Sequence, residues 1–209
     1  DLGVCIVDIG GGTTDIAVYT NGALRHCAVV PVAGNQVTSD IAKIFRTPLT
    51  HAEQIKVQFA SARSSMVSRE DSIEVPSVGG RPSRSMSRHT LAEVVEPRYQ
   101  ELFELVLKQL QDSGLEDQIA AGIVLTGGTS SITGAVDIAE ATFGMPVRVA
   151  SPLPVKGLYE YVDQPIYSTG IGLLHYGARR VIERQFERPD RQGVTSFLNR
   201  VKSWFKGEF

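Results

Sequence analysis

Three consecutive glycines between two aspartates form the stretch of this sequence best suited to binding chemistry. The stretch reads DIGGGTTDIAVY and runs from Asp8 to Tyr19. A glycine-rich loop lets an anion approach several backbone N–H groups, because no Cβ stands in the way. Threonine hydroxyls add donors, and Asp8 and Asp15 can hold Mg²⁺ through water. The residues predicted to bind phosphate and metal in this way are Asp8, Gly10, Gly11, Gly12, Thr13, Thr14 and Asp15. A glycine-rich turn with solvated aspartates is the alternative.

Short apolar runs on both sides of the glycines predict the strands that position them. Residues 3–7 are rich in β-branched side chains and predict a buried strand, and residues 16–19 predict a second. Asn21-Gly22 is a strong signal for a two-residue hairpin turn, and residues 24–32 predict a third strand. The glycines therefore lie at the tip of the first hairpin of an antiparallel meander.

Helical patterns follow the meander. One begins at Gly34 and has apolar residues on a single face. A second is predicted to be capped by Thr50, with Glu53 completing a capping box. A third and longer helix is predicted to be capped by Thr90, and Pro97 within it predicts a kink.

A second glycine motif lies more than a hundred residues after the first. Residues 122–134 read GIVLTGGTSSITG and predict a strand, a double glycine and the start of a helix. Residues 135–143 predict that helix, residues 147–149 a further strand, and residues 167–183 a final helix with three glycines that permit close packing.

Composition limits the class of protein. The chain has 209 residues, of which 42% are hydrophobic and 21% charged, and its net charge is −2. This is ordinary globular composition and argues against a general nucleic-acid binder. Cys5 and Cys27 both fall in apolar strands, which predicts buried free thiols in a reducing compartment. The absence of a starting Met before the first strand suggests a fragment of a longer protein.

The order and separation of the two glycine motifs resemble those of the actin superfamily, which includes actin, heat-shock chaperone ATPases and sugar kinases. DIGGGTTDIAVY resembles its second phosphate-binding motif, and GIVLTGGTSSITG resembles its adenosine motif. The resemblance implies that Gly127, Gly128 and Thr129 pack against the base and sugar of a nucleotide. It also implies that Gly34 begins a helix whose N-terminus faces the nucleotide.

A third and weaker match is the segment AEQIK. In the chaperone ATPases a Glu and a Lys with this spacing flank the ribose and the base, which implies the same role for Glu53 and Lys56. An exposed ion pair between successive turns of one helix explains the two residues equally well.

Two further segments resemble the FtsA family of bacterial actin-like cell-division proteins. They read SVGGRPSRSMSRHTLAEVVEPRYQELFELV and YSTGIGLLHYGAR. The resemblance covers nearly all of the chain and implies the second half of such a protein. The implied fold is α/β, an actin-like (ribonuclease H-like) lobe with an inserted smaller α/β subdomain, plus a C-terminal amphipathic helix. The implied divisions are residues 1–32 and 115–184 for the ATP-binding lobe, 33–114 for the inserted subdomain, 185–194 for a linker and 195–207 for the amphipathic helix.

The C-terminal segment carries one apolar face with basic residues beside it. Residues from Arg179 onward have a net charge of +4, whereas the preceding residues have a net charge of −6. This pattern predicts a helix that lies in the interface of an anionic membrane. The apolar positions are Phe197, Leu198, Val201, Trp204 and Phe205, and the basic ones are Arg200, Lys202 and Lys206. Docking of this helix on the core is the alternative.

The leading functional hypothesis follows from the FtsA resemblance. It is an adaptor that binds ATP and Mg, polymerises like actin and tethers FtsZ filaments to the inner face of the cytoplasmic membrane at the division site. The implied partners are the C-terminal tail of FtsZ, other divisome proteins, further copies of the protein and anionic lipid. Arg81, Arg84 and Arg88 fall in the inserted subdomain, where the family places the FtsZ contact, and solvated surface arginines are the alternative. No residue is assigned a catalytic role. An ATPase or kinase-type enzyme and a pilus-assembly actin-like protein are the rival functions.

Overall fold

The computed structural model of the protein describes residues 2–155, 157 and 159–187. The chain divides into two compact units, residues 1–169 and residues 170–209. The predicted amphipathic segment of residues 195–207 lies outside the described residues. The predicted linker of residues 185–194 overlaps a helix in its first three residues, and its remainder also lies outside the described part. The predicted boundaries of the lobe and the inserted subdomain remain a prediction.

Three consecutive strands, two helices and a two-stranded hairpin precede one long helix, and strands and helices alternate after it. The strands are β1 (Val4–Ile9), β2 (Thr14–Thr20), β3 (Ala23–Val30), β4 (Ser72–Val75), β5 (Arg84–Ser87), β6 (Ile123–Thr126) and β7 (Val147–Val149). The α-helices are α1 (Gly34–Phe45), α2 (Leu49–Phe59), α3 (Arg88–Ser113), α4 (Ala135–Phe143), α5 (Tyr159–Val162) and α6 (Ser168–Glu187). Short 3₁₀ helices span Ser64–Met66, Glu116–Gln118, Gly128–Ser131 and Pro165–Tyr167.

Five strands form one mixed sheet in the order β3-β2-β1-β6-β7. The predicted meander is present, because β1 pairs with β2 and β2 with β3, both in antiparallel fashion. β6 then pairs with β1 in parallel, and β7 with β6 in parallel. The strands β4 and β5 form a separate antiparallel hairpin.

One part of the core lies against a face of the five-stranded sheet, and the rest extends among α1, α2, β4 and α3. Alternate residues of β1, namely Cys5, Val7 and Ile9, are fully buried, as the two-residue period of a strand requires. The helix α3 packs against β3, α4 packs against β7, and the two helices pack against each other. Phe103 of α3 makes an edge-to-face contact with Phe143 of α4, with ring centroids 5.6 Å apart.

Parallel pairing of β1 with β6 brings the two glycine motifs together. Asp8 at the end of β1 is the register partner of Thr126 at the end of β6. Because the carboxyl ends of parallel strands lie at one edge of a sheet, the segments that follow the two strands become neighbours. This pairing joins residues separated by more than a hundred positions in the sequence.

The starts of α2 and α3 differ from the predicted ones. The helix α1 begins at Gly34 as predicted, but α2 begins at Leu49 and has Pro48, not Thr50, in the capping position. The predicted capping box with Glu53 is therefore wrong. The helix α3 begins at Arg88 rather than at Thr90, and it contains Pro97.

The two cysteines have different environments. Cys5 is a buried free thiol, and its burial raises the pKa to about 12. Cys27 is exposed, which corrects the prediction that both thiols are buried. The reason is the two-residue period of a strand, since Cys27 pairs with Ala17 on the face of the sheet opposite the buried residues Ile16 and Val18.

No helix among the described residues is both long enough and apolar enough to cross a membrane.

Candidate functional site

A cleft with a volume of about 890 Å³ opens at the edge of the sheet where β1 and β6 end. Both glycine motifs contribute to its walls, together with α2 and the segment before α6. The predicted site residues that line the cleft are Asp8, Gly10, Gly11, Asp15, Glu53, Lys56, Gly127, Gly128 and Thr129. The predicted site residues Gly12, Thr13, Thr14 and Gly34 are not among the lining residues. The fold thus collects three separate motifs of the sequence around one space.

The glycine loop after β1 is held by its own backbone. The N–H of Gly10 donates to the carbonyl of Thr13 at 3.0 Å. None of Gly10, Gly11 and Gly12 has a φ in the left-handed region. A Cβ built at Gly11 would meet only the side chain of Asn35, at 3.4 Å. The backbone conformation therefore does not require glycine here. At Gly11 the absence of a side chain leaves the space towards the cleft open.

Thr14 does not offer its hydroxyl to the cleft. Its side chain is fully buried, and Oγ1 donates to the carbonyl of Val32 at 2.8 Å. The structure therefore does not support Thr14 as a phosphate ligand through its hydroxyl. The neighbouring Thr13 is exposed, and its hydroxyl donates to a carboxylate oxygen of Asp15 at 3.3 Å.

The N-terminus of α1 is closed by the glycine loop. The N–H of Gly34 donates to the carbonyl of Gly10 at 3.1 Å, and the N–H of Asn35 donates to the carbonyl of Gly11 at 2.7 Å. These two amides are therefore engaged within the chain. The expectation that the N-terminus of α1 faces a nucleotide remains a prediction, and the helix dipole points towards the loop.

The second glycine motif needs glycine for its backbone. Gly127 has φ 86° and ψ 159°, a region open essentially to glycine alone. A Cβ at this position would lie 2.3 Å from Oδ1 of Asp8 and 2.5 Å from the carbonyl oxygen of Ile9. Gly127 therefore lets β1 and the second motif approach more closely than any side chain would allow.

Asp8 and Asp15 face each other as register partners across the first hairpin. Both line the cleft, which suits two carboxylates that hold Mg²⁺ through its water shell. Oδ2 of Asp8 accepts a hydrogen bond of 2.5 Å from the hydroxyl of Thr169. Within the described residues, no group of three or more His, Cys, Asp or Glu side chains has the arrangement of a directly bound metal site.

Glu53 and Lys56 form an ion pair of 2.8 Å at the wall of the cleft. The ammonium of Lys56 also donates to Oγ1 of Thr38 at 2.9 Å and to the carbonyl of Gly34 at 3.1 Å. Because three acceptors surround Lys56, its three N–H groups are engaged within the chain. Its side chain is only 10% exposed, whereas that of Glu53 is 48% exposed.

The environment of Glu53 lowers the pKa of its carboxyl group. Partial burial acts to raise this pKa, but the hydrogen bonds from Lys56 and Thr38 and the charge of Lys56 outweigh it. Oε2 receives these bonds, and Oε1 has no partner within the part of the chain that the structure describes. Glu53 is thus an ionised acceptor at neutral pH with one oxygen available to a ligand.

The sequence analysis missed several residues that line the cleft, among them Asn35, Val57 and Ile166. Asn35 is exposed beside the glycine loop, and its side-chain amide has no partner among the described residues. Val57 is 72% exposed and Ile166 is 61% exposed, and both line the cleft. Asn35 directly follows Gly34, so the prediction of a helix that begins at Gly34 could also have identified it. The two apolar residues carry no local signal, because exposed apolar side chains are common.

The three arginines of the predicted partner site lie in different environments. Arg84 donates to the carbonyl of Phe45, and Arg88 donates to the carbonyl of Phe59 at 2.8 Å. Arg88 also lines the cleft, whereas Arg81 is exposed. The structure therefore does not gather Arg81, Arg84 and Arg88 into one free basic surface.

Comparison with known proteins gives a consistent result. The family model described as "Cell division protein FtsA" matches residues 5–172. The chain is 54% identical over 215 residues to the cell division protein FtsA of Pseudomonas aeruginosa and 52% identical over 218 residues to that of Escherichia coli K12. Both alignments cover 100% of this chain and 52% of the relative, so the chain spans about half the length of the curated relatives it matches.

Solved structures with low sequence identity share the fold. MreB5 of Spiroplasma citri bound to ADP matches 90% of this chain and 56% of its own, with a TM-score of 0.69 and 23% identity. A PilM–PilN complex of type IV pilus biogenesis matches 85% of this chain and 46% of its own, with a TM-score of 0.62 and 18% identity. These likenesses establish the predicted α/β, actin-like fold.

Proposed function

Because the chain belongs to the FtsA family of cell division proteins, we propose that its cleft binds ATP together with Mg²⁺. The observation that carries this proposal is the meeting of the two glycine motifs at one cleft of about 890 Å³. A loop of three glycines suits phosphate, and a strand followed by a double glycine suits close approach of a nucleoside. The likeness to a solved MreB5 bound to ADP supports the same class of ligand.

Each wall of the cleft has a proposed role. The exposed amides of the glycine loop, at Gly11, Gly12 and Thr13, bind phosphate oxygens. Asp8 and Asp15 hold Mg²⁺ through water. Oε1 of Glu53 accepts from a ribose hydroxyl, since Lys56 already occupies the other oxygen. The base lies by Gly127 and Gly128, between the exposed apolar side chains of Val57 and Ile166.

No residue of the chain is proposed to be catalytic. At most, the full-length protein that carries this chain is a weak ATPase.

Beyond the cleft, the proposed function is that of a polymerising adaptor in cell division. It tethers FtsZ filaments to the inner face of the cytoplasmic membrane at the division site. The membrane contact is assigned to residues 195–207, whose apolar and basic residues suit anionic lipid. One such helix binds reversibly, so avidity along a filament strengthens the attachment. Other divisome proteins and the C-terminal tail of FtsZ are the proposed partners, and Arg81 is the best placed of the three arginines to meet an acidic peptide.

The rival functions have weaker support. The PilM–PilN complex resembles this chain at 18% identity, which concerns the fold alone. The FtsA family model, in contrast, matches 168 of the 209 residues, from residue 5 to residue 172. The family match therefore favours cell division over pilus assembly or a sugar-kinase type of activity.

The substitution Gly11→Val tests nucleotide binding directly. The valine would project into the cleft beside Asn35, while its Cβ meets nothing closer than 3.4 Å, so the fold should be retained. The control Ala23→Val adds the same side chain at an exposed position at the start of β3. Because the relatives are about twice as long as this chain, both variants are made in the full-length protein.

Isothermal titration with ATP and Mg²⁺ is the measurement. We expect Gly11→Val to abolish detectable binding and Ala23→Val to bind like the wild type. Equal affinity of the wild type and Gly11→Val for ATP would mean that the glycine loop is an ordinary turn that does not bind phosphate. Failure of the wild type to bind ATP would refute the proposed function itself.

A further inference from the structure

The carbonyl oxygen of Gly10 is the point at which three motifs of the sequence meet. It accepts a hydrogen bond of 3.1 Å from the N–H of Gly34 at the start of α1. It also accepts a hydrogen bond of 2.9 Å from the hydroxyl of Thr129, which is 119 residues away in the sequence. A carbonyl oxygen has two lone pairs, so these two donors engage both of them.

The adjacent carbonyl is held as well. The carbonyl of Gly11 accepts from the N–H of Asn35 at 2.7 Å. The described chain contains no cis peptide bond, so the C=O and N–H of each peptide unit point in opposite directions. Holding the carbonyls of Gly10 and Gly11 therefore fixes the directions of the N–H groups of Gly11 and Gly12.

These two N–H groups are free to bind a ligand. Neither has an acceptor among the residues that the structure describes. Gly11 lines the cleft and Gly12 is exposed. Two successive amides with fixed directions and no partner form the kind of backbone concavity that binds an anion.

The backbone carbonyl of Thr129 is also fixed by a hydrogen bond. The hydroxyl of Tyr99 in α3 donates to the carbonyl of Thr129 at 2.7 Å, and Tyr99 is only 1% exposed. The single hydroxyl hydrogen of Thr129 is engaged by Gly10, so this group has no hydrogen to donate to a ligand. Any contact of Thr129 with a base or sugar, which the adenosine-motif resemblance implies, would therefore be made without this hydrogen.

We propose that Thr129 is a positioning residue for the phosphate loop and does not donate to the nucleoside. Its hydroxyl fixes the Gly10–Gly11 peptide unit, so that the N–H of Gly11 stays in the direction that binds a phosphate oxygen. This proposal rests on the proposed function, since it concerns how the same cleft recognises ATP. It predicts that the loss of the hydroxyl weakens binding through the phosphates and leaves binding of the nucleoside part unchanged.

The substitution Thr129→Val tests the proposal in the full-length protein. Valine has the shape of threonine, with a methyl group in place of the hydroxyl. The control Thr129→Ser keeps the hydroxyl and removes the methyl group. Affinities for ATP with Mg²⁺ and for adenosine are measured by titration calorimetry, and thermal unfolding without ligand is measured for each variant.

We expect Thr129→Val to weaken ATP binding about three- to tenfold, the range for the loss of one hydrogen bond. Adenosine should bind equally to the wild type and to Thr129→Val, and Thr129→Ser should restore the affinity for ATP. If Thr129→Val is too unstable to assay, Thr129→Ala removes the hydroxyl without leaving a methyl group against the Gly10 carbonyl. The same weakening of ATP binding, with adenosine binding unchanged, is then expected of Thr129→Ala.

Three results would overturn the proposal. One is an equal loss of ATP and adenosine binding in Thr129→Val, which would assign Thr129 to the nucleoside or to the fold in general. Another is a defect in Thr129→Ser as large as that in Thr129→Val. The last is unchanged ATP binding in Thr129→Val. Since the wild type binds ATP in each of these results, they leave the proposed function intact, whereas a wild type that binds no ATP refutes that function.

Discussion

Replacement of Gly127 by alanine measures how closely β1 and the second glycine motif are packed. The residue has φ 86° and ψ 159°, a conformation that residues with a side chain rarely adopt. The new Cβ would lie 2.3 Å from Oδ1 of Asp8, 2.5 Å from the carbonyl oxygen of Ile9 and 2.8 Å from its carbonyl carbon. Two of these three atoms belong to the backbone of β1, so a change of side-chain rotamer cannot relieve the overlap.

The expected loss of stability has two parts. A non-glycine residue in this backbone region costs about 1–3 kcal/mol. An overpacked core position that forces the backbone to move costs about 1–3 kcal/mol in addition. The sum of about 2–6 kcal/mol is a large fraction of the roughly 5–15 kcal/mol that stabilises an ordinary domain. The midpoint of thermal unfolding should therefore fall by on the order of 10 °C.

Gly144 provides a matched control within the same unit. It ends α4 with φ 64°, and a Cβ at this position would meet no atom within 4 Å. Gly144→Ala therefore carries only the backbone cost of a left-handed residue, about 1 kcal/mol. Urea and thermal unfolding of both variants, monitored by circular dichroism, are the measurements. If Gly127→Ala is destabilised no more than Gly144→Ala, the close approach of the two motifs does not exist as described.

Three other outcomes are expected. Asp8→Asn should weaken ATP binding more in the presence of Mg²⁺ than in its absence, because the carboxylate acts through the metal. An equal loss of ATP affinity with and without Mg²⁺ would mean that Asp8 serves only to accept the hydrogen bond from Thr169. The lowered pKa of Glu53 stabilises the fold at pH values above the ordinary carboxyl pKa of 4.5, and this contribution is lost as the pH falls through the folded-state pKa. Glu53→Gln should therefore be less stable than the wild type in urea at pH 7, and the difference should shrink as the pH falls below 4.5. A difference that does not change with pH contradicts the ion-pair explanation. Trp204→Glu should reduce binding to anionic liposomes by on the order of a hundredfold, since it removes a large apolar group and adds a repelled charge. Lys202→Ala should have a smaller effect that shrinks as salt rises. A lower melting temperature of Trp204→Glu without lipid would indicate that the helix docks on the core.

Local patterns in the sequence were sufficient for much of the secondary structure. β-branched runs separated by a glycine loop and by Asn21-Gly22 predicted the meander of β1, β2 and β3, because strand propensity and turn chemistry act over a few residues. The start of α1 at Gly34 and the strand, double glycine and helix around Gly127 were predicted for the same reason. The order of the two glycine motifs also carried the family resemblance, which the family model then supported.

The direction of individual side chains was harder to predict. Glu53 has the spacing of a capping box after Thr50, yet its carboxylate accepts a hydrogen bond from Thr38 because α1 packs beside α2. Thr14 lies in a loop motif, yet the end of β3 brings Val32 close enough to accept its hydroxyl hydrogen. Several partners were compatible with each pattern, and tertiary packing selected one of them.

Only the tertiary structure decided how the motifs act together. The sequence determined that two glycine-rich segments follow two apolar strands. Parallel pairing of β1 with β6, a contact between residues more than a hundred positions apart, placed those segments at one edge of the sheet. The bond from Thr129 to the Gly10 carbonyl depends on that pairing, on the position of α1 and on the buried hydroxyl of Tyr99. No local pattern encodes such a junction, because its energy arises from groups that come together only when the chain has folded.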